Sequence, residues 1–290
     1  METRLAAMLL GAGLAAQASA NSLTISGLAD NDDGRSFDLR GRYAPIESLV
    51  LGASVGHSRS QLDGDAEELA GTTFGAVADV DIDAFFINAT ADRWRDSGTL
   101  RSTALHGELG WMSDAGIAIA ALVTNHAMRV TYTNTLLGQT RERDIDYSGT
   151  GFGADLSYYG EAWTAGVRFL DYDYGDEVER ARAVLNSGNT SRFPQLQQLF
   201  GSMATQAAGA PDREASAVLG RQFTHWSLTA DVQWQRDALT ADKTRGAGLT
   251  LGLMPAKYLD VNIGAGANKG GDAGTVSWVS LSLTLHDARK

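Results

Sequence analysis

The chain has 290 residues, with 33 glycines, four prolines, no cysteine and a formal net charge of −11. The absence of cysteine excludes a fold held by disulfides, and the acidic balance argues against nucleic acid as a partner. Residues 1–20 combine Arg4, a short apolar segment and the ending Ala18-Ser19-Ala20, which predicts a signal peptide cleaved after Ala20. Residues 21–290 then form a single exported domain.

Alternation of side chains organises the exported part of the chain. Within residues 245–267, apolar residues such as Leu249 alternate with Gly and Thr, a turn follows at Pro255, and alternation resumes through Val261. Successive strand residues face opposite sides, so each arm is a strand with one apolar face. Each arm has about ten residues, the length a tilted strand needs to cross a bilayer. Residues 37–58 repeat this design. Because only helices and closed barrels satisfy every backbone group in lipid, the pattern predicts a barrel.

Breaks in the alternation divide the domain into strands. The unbroken alternation of 72–91 gives thirteen strands if it is one element, whereas a break at 79–83 gives the even count and short periplasmic turns typical of membrane barrels. We therefore predict an all-β, closed, antiparallel up-and-down transmembrane barrel of about 14 strands, with 12 as the alternative count. The predicted strands are 22–29, 35–43, 48–58, 72–78, 84–92, 100–111, 117–128, 144–158, 162–172, 214–223, 226–235, 245–253, 259–267 and 275–285.

Two outer loops stand out in this division. Residues 129–143 are predicted to form one loop, and residues 175–213 form the longest, with helical character at 176–185 and 194–207. Long loops in compact proteins tend to be functional or disordered. Folded inward, the loop 175–213 would constrict the pore, and lying outward it would form a lid or a surface epitope.

Aromatic residues collect near the short turns, as Trp and Tyr do at membrane interfaces. The residues that we predict to anchor this interface are Tyr43, Trp111, Tyr158, Trp163, Trp226 and Tyr258. A second group is expected at the opposite interface and comprises Trp94, Tyr132, Tyr172, Tyr174 and Trp234.

Together these features resemble the bacterial outer-membrane β-barrel superfamily, and more loosely small monomeric porins. The resemblance implies a cell outer-membrane location among lipid and lipopolysaccharide, insertion by the barrel-assembly machinery, and a monomer rather than a trimer. It also implies passive passage of ions or small polar solutes, with no cofactor and no metal. The chain departs from the family at its C-terminus, where such proteins commonly end on an aromatic residue and this chain continues past Leu285 to Lys290.

If the apolar faces meet lipid, the opposite faces line the lumen and tune selectivity. The predicted pore-lining residues are Asp38, Arg40, Arg42, His106, Glu108, Asp155, Arg168, Asp231, Gln233, Asp260 and Asn262. Acidic stretches at the outer loops 30–33, 63–68 and 171–177 predict a weak cation preference. The alternative is that these loops are simply solvated, and that the lumen charges pair across a blocked barrel.

Other functions remain as alternatives at this stage. A hydrolase acting on lipid or peptide at the outer rim would use His57 and Ser58, although adjacent strand residues face opposite ways. The carboxylates of Asp79, Asp81 and Asp83 could bind Ca²⁺ from a loop, or could be a solvated turn. A closed structural or adhesive barrel whose loops bind a partner is the third alternative.

Overall fold

A closed barrel of 14 antiparallel strands forms the whole of the described chain, and β14 pairs with β1 to complete it. The computed structural model describes residues 21–60, 69–96, 100–136, 139–176, 178–179, 211–238, 241–270 and 274–287. The predicted closed up-and-down barrel of 14 strands is confirmed, and the alternative of 12 is wrong. The strands are β1 (Ser22–Asp30), β2 (Arg35–Ile46), β3 (Leu49–Ser60), β4 (Leu69–Ile82), β5 (Phe85–Asp96), β6 (Leu100–Met112), β7 (Ile117–Leu136), β8 (Gln139–Tyr159), β9 (Trp163–Asp173), β10 (Pro211–Gln222), β11 (Trp226–Asp237), β12 (Lys243–Ala256), β13 (Leu259–Gly270) and β14 (Thr275–His286).

The break in the long alternating segment lies later than predicted. Strand β4 continues through Asp79 to Ile82, and the chain reverses over Asp83 and Ala84, where Asp83 adopts a left-handed φ of 54°. Aspartate tolerates this conformation better than most side chains because its carboxylate can bond locally to the backbone. Asp79 is therefore a strand residue and contributes to the barrel wall.

The predicted outer loop 129–143 is wrong, because β7 and β8 continue as a hairpin of 20 and 21 residues. Cross-strand polar pairs support the extension: Arg129 Nε donates to Asp146 Oδ1 at 2.5 Å, and Thr131 Oγ1 donates to Asp144 Oδ1 at 2.7 Å. Oppositely charged side chains on paired strands can stabilise a sheet even when neither of its faces is apolar. The hairpin therefore continues as a polar two-stranded ribbon in place of the predicted loop.

The outer surface of the barrel is apolar between its two ends. Phe37, Leu109, Phe152 and Val279 are among the large hydrophobic side chains that remain exposed, and Phe152 is 64% exposed. A continuous apolar surface of this extent marks an interaction surface, and on a closed barrel of this kind it contacts membrane lipid. This design agrees with the predicted outer-membrane location. Among the described residues, no helix is long and apolar enough to cross a membrane.

The two rims of the barrel differ in their connections. One rim, the short-turn rim, carries the tight turns together with Asn21 and Asp287, which are joined by a backbone hydrogen bond of 3.0 Å. The opposite rim, the long-loop rim, carries the remaining connections, including the start of the outer loop 175–213. Residues 175–176 and 178–179, at the start of the stretch 176–185 predicted to be helical, are helical. The central part of this loop, with the predicted helix 194–207, lies outside the described residues, as does the predicted signal peptide. Exposed aromatic side chains circle the short-turn rim and include all six predicted anchors: Tyr43, Trp111, Tyr158, Trp163, Trp226 and Tyr258.

Three of the five aromatic residues predicted near the opposite interface face inward, while Trp234 has the outward parity of the exposed Val232 and the side chain of Tyr132 lies outside the described residues. Trp94, Tyr172 and Tyr174 face the barrel interior and are buried. The rings of Tyr172 and Tyr174 stack with centroids 6.2 Å apart, and Tyr147 meets Tyr174 edge-on at 6.1 Å. Tyr147, Tyr172 and Tyr174 therefore form an internal aromatic cluster near the long-loop rim, at β8 and β9. Because Tyr174 immediately follows β9, the chain enters the outer loop from the inner wall.

Candidate functional site

All the predicted pore-lining side chains lie on the inward face, because they alternate with exposed lipid-facing residues along their strands. They fall into two groups. One follows β2 to β9 and contains most of the charged pairs, while the other lies on β11 and β13 against a glycine-rich wall. The residues are Asp38, Arg40, Arg42, His106, Glu108, Asp155, Arg168, Asp231, Gln233, Asp260 and Asn262.

Arg168 binds two carboxylates on the inner wall. Its Nε donates to Asp155 Oδ2 at 3.2 Å, and its Nη2 donates to Glu108 Oε2 at 3.1 Å. Asp155 also accepts a hydrogen bond from Ser157 Oγ at 2.6 Å. The three charged side chains are only 11%, 6% and 13% exposed, respectively. Two carboxylates share one guanidinium, so the cluster has one more carboxylate than it has cations.

The close approach of strands β8 and β9 makes this geometry possible. Asp155 and Arg168 are direct cross-strand partners, whereas Glu108 lies on β6, so the arginine side chain reaches across β8 and β7. Gly153 lies two residues from Asp155 on β8, opposite Leu170, and an added Cβ there would stand 2.0 Å from the carbonyl oxygen of Phe169 and 2.9 Å from Leu170. Glycine at this position therefore lets β8 and β9 approach closely next to the Asp155–Arg168 pair.

A second charged group extends the same wall toward β2. Asp79 accepts hydrogen bonds from the Arg42 guanidinium and from the amide of Asn88. A Cβ on Gly52, which lies between Arg42 and β4, would meet Val77 at 2.6 Å and the Arg42 side chain at 3.3 Å. The missing side chain lets Arg42 cross β3 to reach Asp79.

The two groups join through the sheet register, because Asn88 is the direct cross-strand partner of Glu108. We use the name polar ladder for the resulting series on the inner wall. It consists of Arg42, Asp79, Asn88, Glu108, Asp155 and Arg168.

The opposite wall is smooth and carries an unpaired acid. The indole ring of Trp278 lies over Gly248, Gly264 and Gly266, where added Cβ atoms would stand 3.0, 3.2 and 2.5 Å from its carbons. Asp231 stands beside Gly248, and within the described chain its carboxylate has no hydrogen bond or ion pair. This wall therefore presents a flat aromatic surface next to a free carboxylate.

Shorter polar contacts close the seam between β13, β14 and β1. His286 Nε2 and Asp260 Oδ2 are 2.7 Å apart, and the hydroxyls of Thr24 and Thr284 are 3.0 Å apart. These contacts tie the last strand to both of its neighbours.

Carboxylates outnumber arginines on the inward face of the described strands. The inward carboxylates include Asp38, Asp79, Asp92, Glu108, Asp155, Glu214, Asp231 and Asp260. Arginines on this face between the rims are Arg40, Arg42 and Arg168. The residues predicted from the sequence already included more carboxylates than arginines, and the structure enlarges this excess, because Asp79 had been assigned to a turn and Asp92 and Glu214 to strand ends.

The described residues form neither the hydrolase site nor the Ca²⁺ site that were considered from the sequence. His57 faces outward, while Ser58 is buried on the inner face and accepts a hydrogen bond from Trp94 Nε1 at 3.2 Å, so the two do not pair. Across the ranges that the structure covers, no group of three or more His, Cys, Asp or Glu residues could hold a metal ion. Sequence reasoning missed a Ser102–His126 pair at 2.9 Å, which is fully buried inside the wall.

Comparison with protein-family models finds no match. Comparison with curated proteins finds none either. Solved structures with a similar fold include a loop-L8 deletion mutant of OmpT, an outer membrane protein of Vibrio cholerae, at 12% identity and a TM-score of 0.48, covering 91% of this chain and 97% of that one. Others are the KdgM porin, at 8% identity, 92% and 99% coverage and a TM-score of 0.43, and OccAB1 of Acinetobacter baumannii, at 11% identity, 91% and 74% coverage and a TM-score of 0.45. These likenesses concern the barrel fold alone.

Proposed function

We propose that the barrel is an outer-membrane channel for passive diffusion of ions or small polar solutes, with a weak preference for cations. Barrels of eight strands are filled by side chains and those of 16 to 18 hold aqueous channels, so 14 strands lie nearer the open end. The inner face is polar and charged over most of its length, which suits a wet lumen. No cofactor enters this function.

The observation that carries the proposal is the excess of carboxylates on the inward face. Rings or walls of acidic side chains raise the local concentration of cations in a pore. The polar ladder neutralises part of its own charge, since Arg42 binds Asp79 and Arg168 binds Glu108 and Asp155. On the opposite wall Asp231 has no such partner within the described residues, so its charge acts directly on ions in the lumen.

The same proposal covers the surroundings of the barrel. The chain is inserted by the barrel-assembly machinery and works as a monomer among outer-membrane lipid and lipopolysaccharide. Within the chain, β1 pairs with β14, so no strand edge is left for pairing with a second subunit.

Reversal potentials test the proposal most simply. The chain, folded in detergent and inserted in planar bilayers, is measured under a tenfold KCl gradient. We expect ionic current and a reversal potential of the sign that marks K⁺ over Cl⁻ permeation. Current with a preference for Cl⁻ would remove the cation preference but leave the channel, whereas the absence of any current would favour the closed structural or adhesive barrel.

The Asp231→Asn variant is expected to weaken the cation preference. The substitution keeps the size of the side chain and removes the free charge on the glycine-rich wall, so the ratio of K⁺ to Cl⁻ permeability should fall by about twofold or more. The matched control is Asp33→Asn, which removes the same charge from an exposed residue at the long-loop rim. If Asp33→Asn lowers the ratio and Asp231→Asn does not, the preference comes from the outer loops instead of the lumen.

A further inference from the structure

A row of arginines lies on the lipid-facing side of the long-loop rim, from β2 to β7. The row contains Arg35, Arg59, Arg95, Arg101 and Arg129, all exposed. Three pairs of them are direct cross-strand partners: Arg35 with Arg59, Arg95 with Arg101, and Arg101 with Arg129. We call this set the basic row. It is a local concentration of positive charge on a chain whose net charge is −11.

Like charges placed directly opposite each other destabilise a strand pair. Within the described part of the chain, Arg35, Arg95 and Arg101 have no ion pair with a carboxylate, and neither does the neighbouring outward Arg93. At the end of the row, Arg129 binds Asp146. An anion from outside the protein would offset the repulsion among the central arginines.

A shallow apolar groove of about 640 Å³ lies on the same strands, on the membrane side of the basic row. Its floor consists of small outward residues that are direct cross-strand partners, so they form one continuous strip. The floor residues are Ala76, Ala78, Ala89, Ala91 and Gly107. Larger side chains, including Leu51 and Val123, stand at its sides.

The groove and the row are aligned along β5. Ala89, Ala91, Arg93 and Arg95 follow one another on the outward face, and alternate residues of a strand are about 6.8 Å apart. A polar pair stands at the end of the groove nearest the row, where Asn125 Nδ2 donates to Thr150 Oγ1 at 3.4 Å. In the sheet register this pair is level with Ala91, at the side of the groove on β7 and β8. Along β5 the order is therefore apolar groove, then positive charge, which is the order of the tail and headgroup of an anionic lipid.

We infer that this surface binds a phosphorylated, acylated lipid of the outer leaflet. Its phosphate lies among Arg93, Arg95 and Arg101, and an acyl chain lies in the alanine-floored groove. A second copy of the chain is a poorer occupant, because a twofold interface brings the same patch of each subunit together and would set arginines against arginines. A lipid bound at this surface is consistent with the proposal that the protein is a monomer.

Lipid binding to the purified chain tests the inference. The folded chain in neutral detergent is mixed with bisphosphorylated lipid A, dephosphorylated lipid A or phosphatidylethanolamine, and bound lipid is counted by native mass spectrometry. The expected result is retention of the bisphosphorylated lipid only. Combined substitution of Arg93→Gln, Arg95→Gln and Arg101→Gln should weaken that binding about 100-fold, because each basic side chain near an anionic lipid contributes roughly a factor of five.

The chain supplies a matched control for charge. Lys243, Arg245 and Lys269 also face outward near the long-loop rim, and Arg245 is the direct partner of Lys269, but none of them lines the groove. Changing all three to Gln should leave lipid A binding within about twofold of the parent chain. Equal losses in the two triple variants would overturn the inference in favour of nonspecific attraction by any basic residue.

A second pair of variants tests the groove without touching a charge. Ala89→Leu with Ala91→Leu fills the floor and should weaken binding of the bisphosphorylated lipid at least tenfold, whereas Ala265→Leu on the lipid-facing side of β13 should not. Equal binding of dephosphorylated lipid A, or unchanged binding in the Arg93/Arg95/Arg101 variant, would contradict the inference. So would a dimer of the parent chain that the arginine variant dissociates. Heat-dependent migration on gels confirms that each variant is folded.

Discussion

Replacing Arg168 with Met is expected to lower the free energy of unfolding of the barrel by about 3–5 kcal/mol, because it leaves buried carboxylates without their cation. Glu108 and Asp155 are 13% and 6% exposed, so water replaces the lost guanidinium poorly. The measurement is equilibrium unfolding in urea of the chain folded into lipid vesicles. The same variant should also raise the ratio of K⁺ to Cl⁻ permeability, since it removes one of the inward arginines.

The control for Arg168→Met is Arg129→Met. Arg129 also binds a carboxylate, but the pair is 48% and 58% exposed at the polar hairpin of β7 and β8. Exposed pairs of this kind contribute about 0–1 kcal/mol. Adding Glu108→Gln and Asp155→Asn to Arg168→Met should restore much of the stability, because no unpaired charge then remains. Equal effects of Arg168→Met and Arg129→Met would show that the polar ladder is not a buried network.

The second large effect is expected from Gly153→Ala. The new Cβ would stand 2.0 Å from the carbonyl oxygen of Phe169, a backbone atom that cannot rotate away, so β8 and β9 must separate. Overpacking of this kind costs about 1–3 kcal/mol. The strand shift also moves Asp155 relative to Arg168, which are direct partners across these strands. The expected result is a loss near the upper end of that range, measured by the same urea titrations.

Gly41→Ala is the matched control, since a Cβ on Gly41 meets no atom within 4 Å. A surface change without new contacts is expected to alter stability by no more than about 0.5 kcal/mol. If Gly153→Ala were as stable as Gly41→Ala, the close approach of β8 and β9 beneath Arg168 would not be needed for folding.

Alternation alone predicted the barrel, because lipid favours apolar side chains on one face of each strand and the lumen favours polar side chains on the other. The prediction from alternation failed where a strand contacts neither lipid nor lumen. In the hairpin beyond Met128, the strands are held by pairs such as Arg129 with Asp146, and no apolar face signals them. Asp79 was misplaced for a related reason, since a carboxylate in a lumen-facing strand and one in a turn look the same in the sequence.

Contacts across the lumen wall could not be predicted either. The Arg168–Glu108 ion pair joins strands that are not neighbours, so it depends on the relative stagger of four strands. Trp94, Tyr172 and Tyr174 lie near strand ends, as interface aromatics do, and that position alone suggested a lipid-facing belt, whereas their parity on the strands already places them on the inward face. The basic row likewise depends on register, because its arginines come from five strands and meet only when those strands pair as they do.

Single-channel recording tests the central claim, a water-filled lumen, most directly. The folded chain is added to a planar bilayer with about 1 M KCl on both sides. At this salt concentration, surface charges are screened within about 3 Å, so the current reports mainly on the lumen. For a water-filled lumen, we expect discrete current steps that persist with time. A folded, heat-modifiable chain that inserts in vesicles yet gives no steps above the bare bilayer would contradict it.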